Sequence, residues 1–172
     1  LDECEISVIN AGGEHSIKPL RQLLQAFGIP SVVIYDKDVK QGQVPGDCEF
    51  FTRELCFEIE IVKNLYNQNR TDLVREIARE LDSDAENVLL DLDFIKKHYT
   101  KMHVDTSSYV PKKLSDVLDT DAEEFCNMYS AWYMVKKGVL LGRTIGEILP
   151  AELIPACYAD AIRKAREVAT NV

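Results

Sequence analysis

Apolar positions change period along this chain, and the change divides it. Ile6-Ser7-Val8-Ile9-Asn10 is a short β-branched run closed by Ala11-Gly12-Gly13, which predicts a strand and a turn. Ser16 is a suitable N-cap, and Pro19 fits the first turn of the helix that follows. From Ile17 to Phe27 the spacing puts Leu20, Leu23, Leu24 and Phe27 on one face, and Gly28 is the stop. Ser31 to Tyr35 is a continuous apolar run of the kind found in a parallel strand covered on both faces. Strand, helix and strand within about thirty residues predict a βαβ unit with a right-handed crossover. Lys37 to Glu49 is polar and carries Gly42, Pro45 and Gly46, so it reads as a long loop before a third short strand over Phe50-Phe51-Thr52.

Beyond that point the period is helical. Phe57, Ile61 and Leu65 recur on one face. Thr71 is placed to cap a helix bearing Leu73, Val74, Ile77 and Leu81, and Asp84 one bearing Val88, Leu89, Leu92 and Ile95. Residues 100–110 read as a loop rich in Thr and Ser. Asp121 opens a helix through Phe125, Met128, Tyr129 and Trp132, which Gly138 interrupts. Val139 to Leu149 and Ile154 to Val168 are two last helices set apart by Pro150 and Pro155. The predicted class is α/β: a Rossmann-like βαβ with a small parallel sheet, followed by a mainly helical extension. The expected division is a core over 1–66 and a helical extension over 67–172 packed on the same domain.

Charge narrows the chemistry. Lys and Arg number 20 against 29 Asp and Glu, a balance of −9 over 172 residues. A surface built to coat nucleic acid non-specifically would be basic. A site that gathers divalent cations is compatible with this balance. The five cysteines, Cys4, Cys48, Cys56, Cys126 and Cys157, form no CxxC pair, so neither a zinc ribbon nor a thioredoxin motif is supported. They read as reduced thiols of a cytoplasmic protein, several of them in the core. No apolar run is long enough for a membrane span, and no signal-peptide pattern opens the chain.

The sharpest candidate for chemistry is Val32-Val33-Ile34-Tyr35-Asp36-Lys37-Asp38. Ligands of open α/β sheets bind outside the carboxyl ends of strands. Alternate residues of an extended chain point the same way, so Asp36 and Asp38 can offer oxygens to one hard cation, Mg²⁺ or Mn²⁺. The plainer alternative is an acidic turn after a strand.

Residues Ile6 to Gly13, the apolar helix, Gly28-Ile29-Pro30, the apolar strand and Asp36-Lys37-Asp38 together resemble part of a Toprim domain. More narrowly, they resemble the Toprim domain of overcoming lysogenization defect (OLD) nucleases, which pair an ABC-type ATPase with a Toprim nuclease. The likeness is good over residues 5–39. It implies that Asp36 and Asp38 bind divalent metal and that DNA is cut by a two-metal hydrolysis of the phosphodiester. It further implies an acidic stretch after the next strand, matched by Cys56-Phe57-Glu58-Ile59-Glu60, so that Glu58 is a metal ligand and Cys56 departs from an acidic position. A lysine before one of the last helices is also implied. Lys136-Lys137-Gly138 matches its place, with Lys137 as the charge that meets the scissile phosphate. A Toprim domain opens on a strand ending in Glu-Gly, and Glu3 and Glu5 are poor replacements for that glutamate. The expectation is therefore a piece lacking its first strand and helix, cut from an ATP-dependent endonuclease of phage-defence type. Its ATPase domain would lie elsewhere in the polypeptide, and the whole would be a homo-oligomer.

Weaker signals have plainer readings beside them. Gly12-Gly13 before a helix is a tight turn or an anion cradle. Gly13, His15 and Lys136 are candidate substrate contacts, and His15 alone reads as a surface histidine. Asp91-Leu92-Asp93 repeats the Asp-x-Asp spacing inside a helical pattern, where the two do not share a face. Trp132, Tyr129 and Tyr133 at helical spacing read as packing rather than as a platform for bases. Two other functions stay open: a non-catalytic Toprim-like module that assembles with a partner, and a haloacid-dehalogenase-like phosphatase. Against the latter, Lys40 stands where a Thr or Val usually follows the acidic pair.

Overall fold

A computed structural model describes residues 6–37 and 44–170. Its helices are α1 (Glu14–Ala26), α2 (Phe57–Asn67), α3 (Thr71–Leu81), α4 (Leu92–Met102), α5 (Ala122–Val135), α6 (Val139–Ile148) and α7 (Ala156–Thr170). The strands are β1 (Val33–Tyr35), β2 (Glu49–Phe51), β3 (Leu89–Leu90) and β4 (Lys112–Lys113). The class is α/β, a small parallel sheet followed by a helical region, as the periodicity predicts. The chain divides into two compact units, one formed by residues 1–56 with 155–172 and the other by residues 57–154.

The first unit holds α1, β1, β2 and α7. β1 and β2 pair in parallel, with Val33 opposite Glu49 and Tyr35 opposite Phe51. A parallel pair needs a connection of about a dozen residues, and residues 36–48 separate the two strands in the sequence. α7 packs on both strands. Lys164 of α7 reaches Asp47, just before β2, at 3.1 Å. Arg21 of α1 forms an ion pair with Glu49 at the start of β2.

Two expectations fail in this unit. Ile6–Asn10 forms no strand, and Val8 and Ile9 are 82% and 56% exposed. β-propensity expresses fit to a paired, half-buried surface, and among the described residues no strand hydrogen-bonds to this run. α1 also begins at Glu14 with Gly13 as its N-cap, so Ser16 lies inside the first turn instead of capping it. The stop at Gly28 holds. Gly28 adopts φ 70°, its amide bonds to the Gln25 carbonyl, and the Ile29 amide bonds to Leu24, which is a Schellman closure. Leu20 and Leu24 are half buried, whereas Leu23 and Phe27 face solvent. The apolar stripe of α1 is thus wider than the surface that covers it.

The second unit contains the hydrophobic core. α5 lies at its centre, packed on α2 and α4. Phe125, Met128, Tyr129, Trp132 and Tyr133 are all fully buried, which settles the aromatic trio as packing. α2 contributes Ile61, Val62 and Leu65, and α3 contributes Val74 and Ile77. Asp121 caps α5, its carboxylate accepting from the Glu124 amide, as expected. Thr71 does not cap α3; it is the first helical residue, and its hydroxyl donates to Asp119 at 2.8 Å.

The helix expected from Asp84 to Ile95 is broken into a 3₁₀ turn (Ala85–Asn87), strand β3 and then α4. Leu89 and Leu90 pair antiparallel with Lys113 and Lys112, and that pairing competes with helix. Asp91 then caps α4 by accepting from the Phe94 amide at 2.8 Å. The second Asp-x-Asp is therefore a cap and an exposed first-turn acid, not a ligand pair.

Arg75 of α3 pins the unit's polar seam. Its guanidinium donates to Asp119, to the Val117 carbonyl at 2.7 Å and to the Tyr129 hydroxyl at 2.8 Å, and lies over the Phe125 and Tyr129 rings. Arg75, and then burial opposed by Thr71, act on the Asp119 carboxyl, with the net result below its usual range. Arg75→Ala should lower unfolding free energy by about 1–3 kcal/mol in urea melts, since the Tyr129 hydroxyl and two ring faces lose their partner. Because the folded carboxyl of Asp119 is the stronger acid, its contribution is present above the unfolded carboxylate range. It should fade as pH drops through the folded value, and Asp119→Asn should flatten that part of the acid-stability curve. α6 carries two exposed glycines, Gly142 and Gly146, where an added Cβ meets nothing within 4 Å. Replacing either with Ala should raise stability by about 0.5–1 kcal/mol, read by thermal melts.

Candidate functional site

The carboxyl ends of β1 and β2 form the first unit's candidate site, and Thr52 organises it. Thr52 directly follows β2 and is 3% exposed. Its amide donates to the Tyr35 carbonyl at 3.0 Å, and its hydroxyl accepts from the Lys37 amide at 2.9 Å. The same hydroxyl donates to the Glu54 carbonyl at 2.7 Å. Lys37 Nζ in turn donates to the Arg53 carbonyl at 2.8 Å. Backbone groups on both sides of Asp36 are therefore tied to the residue that follows the neighbouring strand. Asp36 is held half-buried at a strand end, where open α/β sheets bind ligands. Tyr35 is buried below it and meets Phe51 edge-on at 5.8 Å. Thr52 was legible only as the end of a strand. The one signal for its role was a hydroxyl next to two apolar strand residues, where a loop begins.

Asp38 lies outside the described residues. A hard cation suits the carboxylate oxygen of Asp36, but one carboxylate does not make a site. Among the described residues, no three His, Cys, Asp or Glu side chains gather as a metal site requires. The residues described here thus do not complete a cation site.

Glu58, Lys136 and Lys137 belong to the other unit. Glu58 sits in the first turn of α2 and is 3% exposed, and Glu60 is buried nearby along the same helix. Burial, then Lys97 and Lys101, lower the pKa of His98, and the charge of Glu58 opposes that shift. Sequence spacing gave no hint of this neighbour, because forty positions separate the two residues. Cys56, where an acidic residue is expected, is 1% exposed. Lys136 is committed to Asp82 at 2.8 Å and lies over the Trp132 ring, so its ammonium serves packing in this structure. Lys137 is exposed in the turn between α5 and α6.

Gly13 adopts φ 146° at the start of α1, and its carbonyl accepts from the Ser16 amide. The Gly12 amide is already engaged by Asn10 Oδ1 at 2.9 Å, which favours the turn over an anion cradle. His15 is exposed in the first turn of α1. Among the described residues, Cys48, Cys56, Cys126 and Cys157 form no disulfide, and the last three are buried.

The strand end thus places one carboxylate where open α/β sheets bind ligands. Residues 1–38 match the family model described as overcoming lysogenization defect protein-like, TOPRIM domain, and the match ends on Asp38. Toprim is a metal-binding fold of nuclease and primase type. No curated protein and no solved structure matches the chain. No helix among the described residues is long and apolar enough to cross a membrane.

Thr52→Val keeps the shape and deletes both hydroxyl bonds. It should cost about 1–2 kcal/mol, and the Lys37 amide should lose hydrogen-exchange protection while amides of α5 keep theirs.

Proposed function

We propose that this chain is the Toprim nuclease region of an OLD-type ATP-dependent endonuclease and that it acts on DNA. The observation that supports the reading best is Asp36, a carboxylate-bearing residue at the end of a parallel strand whose backbone is tied on either side, within the stretch that matches the Toprim model. In this reading Asp36 and Asp38 hold Mg²⁺ or Mn²⁺. A divalent cation supplies charge neutralisation at the phosphodiester and a more acidic water. Fixing the backbone around Asp36 means that little ordering remains to be done when a ligand arrives. Glu58 and Lys137 are the further acidic and basic groups of the proposal. Lys137 is exposed and able to approach a phosphate oxygen, whereas Glu58 is buried and would first need access. The ATPase domain, the oligomer and a cytoplasmic, phage-defence setting belong to the same proposal and rest on the resemblance.

A second reading is favoured by Cys56. It is a buried thiol where the Toprim pattern has an acidic residue, and it fits a Toprim-like module kept for assembly instead of cutting.

Plasmid nicking in Mn²⁺ separates the two. In the polypeptide that carries the ATPase domain, Asp36→Asn should reduce nicking at least about a hundredfold with the fold intact by circular dichroism. Lys137→Ala should reduce it by about tenfold or more. The 172-residue chain alone should cleave feebly. Unchanged nicking in Asp36→Asn, or none in the parent protein, favours the assembly module.

A further inference from the structure

Helix α4 reverses the charge of the chain over a short stretch. Residues 94–104 carry Lys96, Lys97, His98, Lys101 and His103 and no carboxylate, in a protein whose balance is −9. The helix buries Ile95 and Tyr99, with Phe94 and Met102 partly buried against the same core. Lys96, Lys97, Thr100 and Lys101 are left exposed on the opposite side. The acids stay at the N-terminal end, where Asp91 caps the helix and Asp93 lies in its first turn. After α4 the sign changes again, because Asp105 and Glu123 line the cleft that Asn67 and Asn127 border.

Ordinary helix chemistry accounts for one of these lysines. Lys101 is in the last turn, where a cation meets the negative end of the helix dipole. Lys96 and Lys97 lie in the middle turns, and Lys97 is one turn from Lys101, where like charges repel. Burial, and then the charges of Lys97 and Lys101, lower the His98 pKa, and Glu58 of α2 opposes them. Both lysines are therefore close enough to act on a residue on which Glu58 also acts. Lysines elsewhere are paired with carboxylates: Lys112 with Glu124, Lys136 with Asp82 and Lys164 with Asp47. Among the described residues, Lys96 and Lys97 form no such pair.

The chemistry of this face narrows the partner. Helices that lie on a membrane insert an apolar face beside the basic one, and the apolar face of α4 is packed into the core. Protein interfaces are depleted in lysine. A nucleic-acid backbone, by contrast, is held by Lys and Arg against its phosphates and asks for no apolar patch. The net acidity of the rest of the chain repels such a backbone, so contact stays local and few phosphates are engaged.

We propose that the exposed face of α4 binds the backbone of duplex DNA, with Lys96, Lys97 and Lys101 each meeting a phosphate. The choice of DNA among polyanions rests on the nuclease reading, whereas the binding itself requires no cutting. The test uses the whole 172-residue chain. A short fluorescent duplex is titrated by anisotropy in EDTA over a range of salt concentrations. Lys96→Gln/Lys97→Gln/Lys101→Gln should weaken binding about tenfold or more at low salt, with circular dichroism unchanged, and should cut the slope of log K against log salt by about 3. Lys97→Gln alone should cut it by about 1, and the corresponding triple change to Arg should bind as the parent does. Lys113→Gln/Arg143→Gln/Arg163→Gln removes the same charge from exposed sites elsewhere and should leave the slope unchanged. No duplex binding at about 10⁻⁴ M protein and low salt overturns the proposal. So does an equal loss in the control variant, or displacement of the duplex by polyglutamate or phosphatidylserine vesicles as effective as by unlabelled duplex. Lysine-dependent binding together with unchanged nicking in Asp36→Asn supports this surface and sinks the nuclease reading alone.

Discussion

The helical unit depends on α5 being surrounded on all sides. A helix that buries Phe125, Met128, Tyr129, Trp132 and Tyr133 has no solvated face along its middle, so its polar tips need partners within the protein. Arg75 meets the Tyr129 hydroxyl, and the Tyr133 hydroxyl donates to the Val74 carbonyl at 2.9 Å. Both partners come from α3, so the orientation of that helix is set by hydrogen bonding as well as by packing. Ser130 Oγ and Trp132 Nε1 are buried with no hydrogen-bond partner among the described residues, and the unit bears that cost where its packing is tightest.

The sheet unit is built on a different balance. Its α1 buries no residue fully, and Val8, Ile9, Leu23, Phe27 and Ile29 are all at least half exposed. Polar ties hold this unit where the other relies on a core. Arg21 joins α1 to β2, Lys164 joins α7 to the approach to β2, and Thr52 joins the two strand ends. Asp36 falls at the best-tied point. The backbone on either side of that carboxylate is fixed by hydrogen bonds to Thr52. Asp36 is also where the candidate chemistry and the family match coincide.

The legible parts of the fold were those where one local signal had no competitor. Gly28 could end α1 because only glycine takes φ 70° without cost. Asp121 could cap α5 because the helical period starts directly after it. Periodicity failed where pairing decided the outcome. Leu89 and Leu90 have helical spacing with their neighbours, yet they pair with Lys113 and Lys112, residues more than twenty positions away. Ile6 to Asn10 has strand composition, and with no pairing strand among the described residues it is irregular. Of the candidate site, Asp36 could be read from its position after an apolar run. Thr52 could not, because its role depends on which backbone amide lies opposite it.

Sequence alone determined the helical periods, the glycine stop, the cap of α5 and the strand-end placement of Asp36, because each follows from neighbours a few residues apart. Only tertiary structure decided that Lys136 is occupied by Asp82 and Trp132, that Glu58 is buried close enough to act on His98, and that Asn67 and Asn127 border one cleft. Those outcomes join residues far apart in the chain, and which of them meet is set by how whole helices pack.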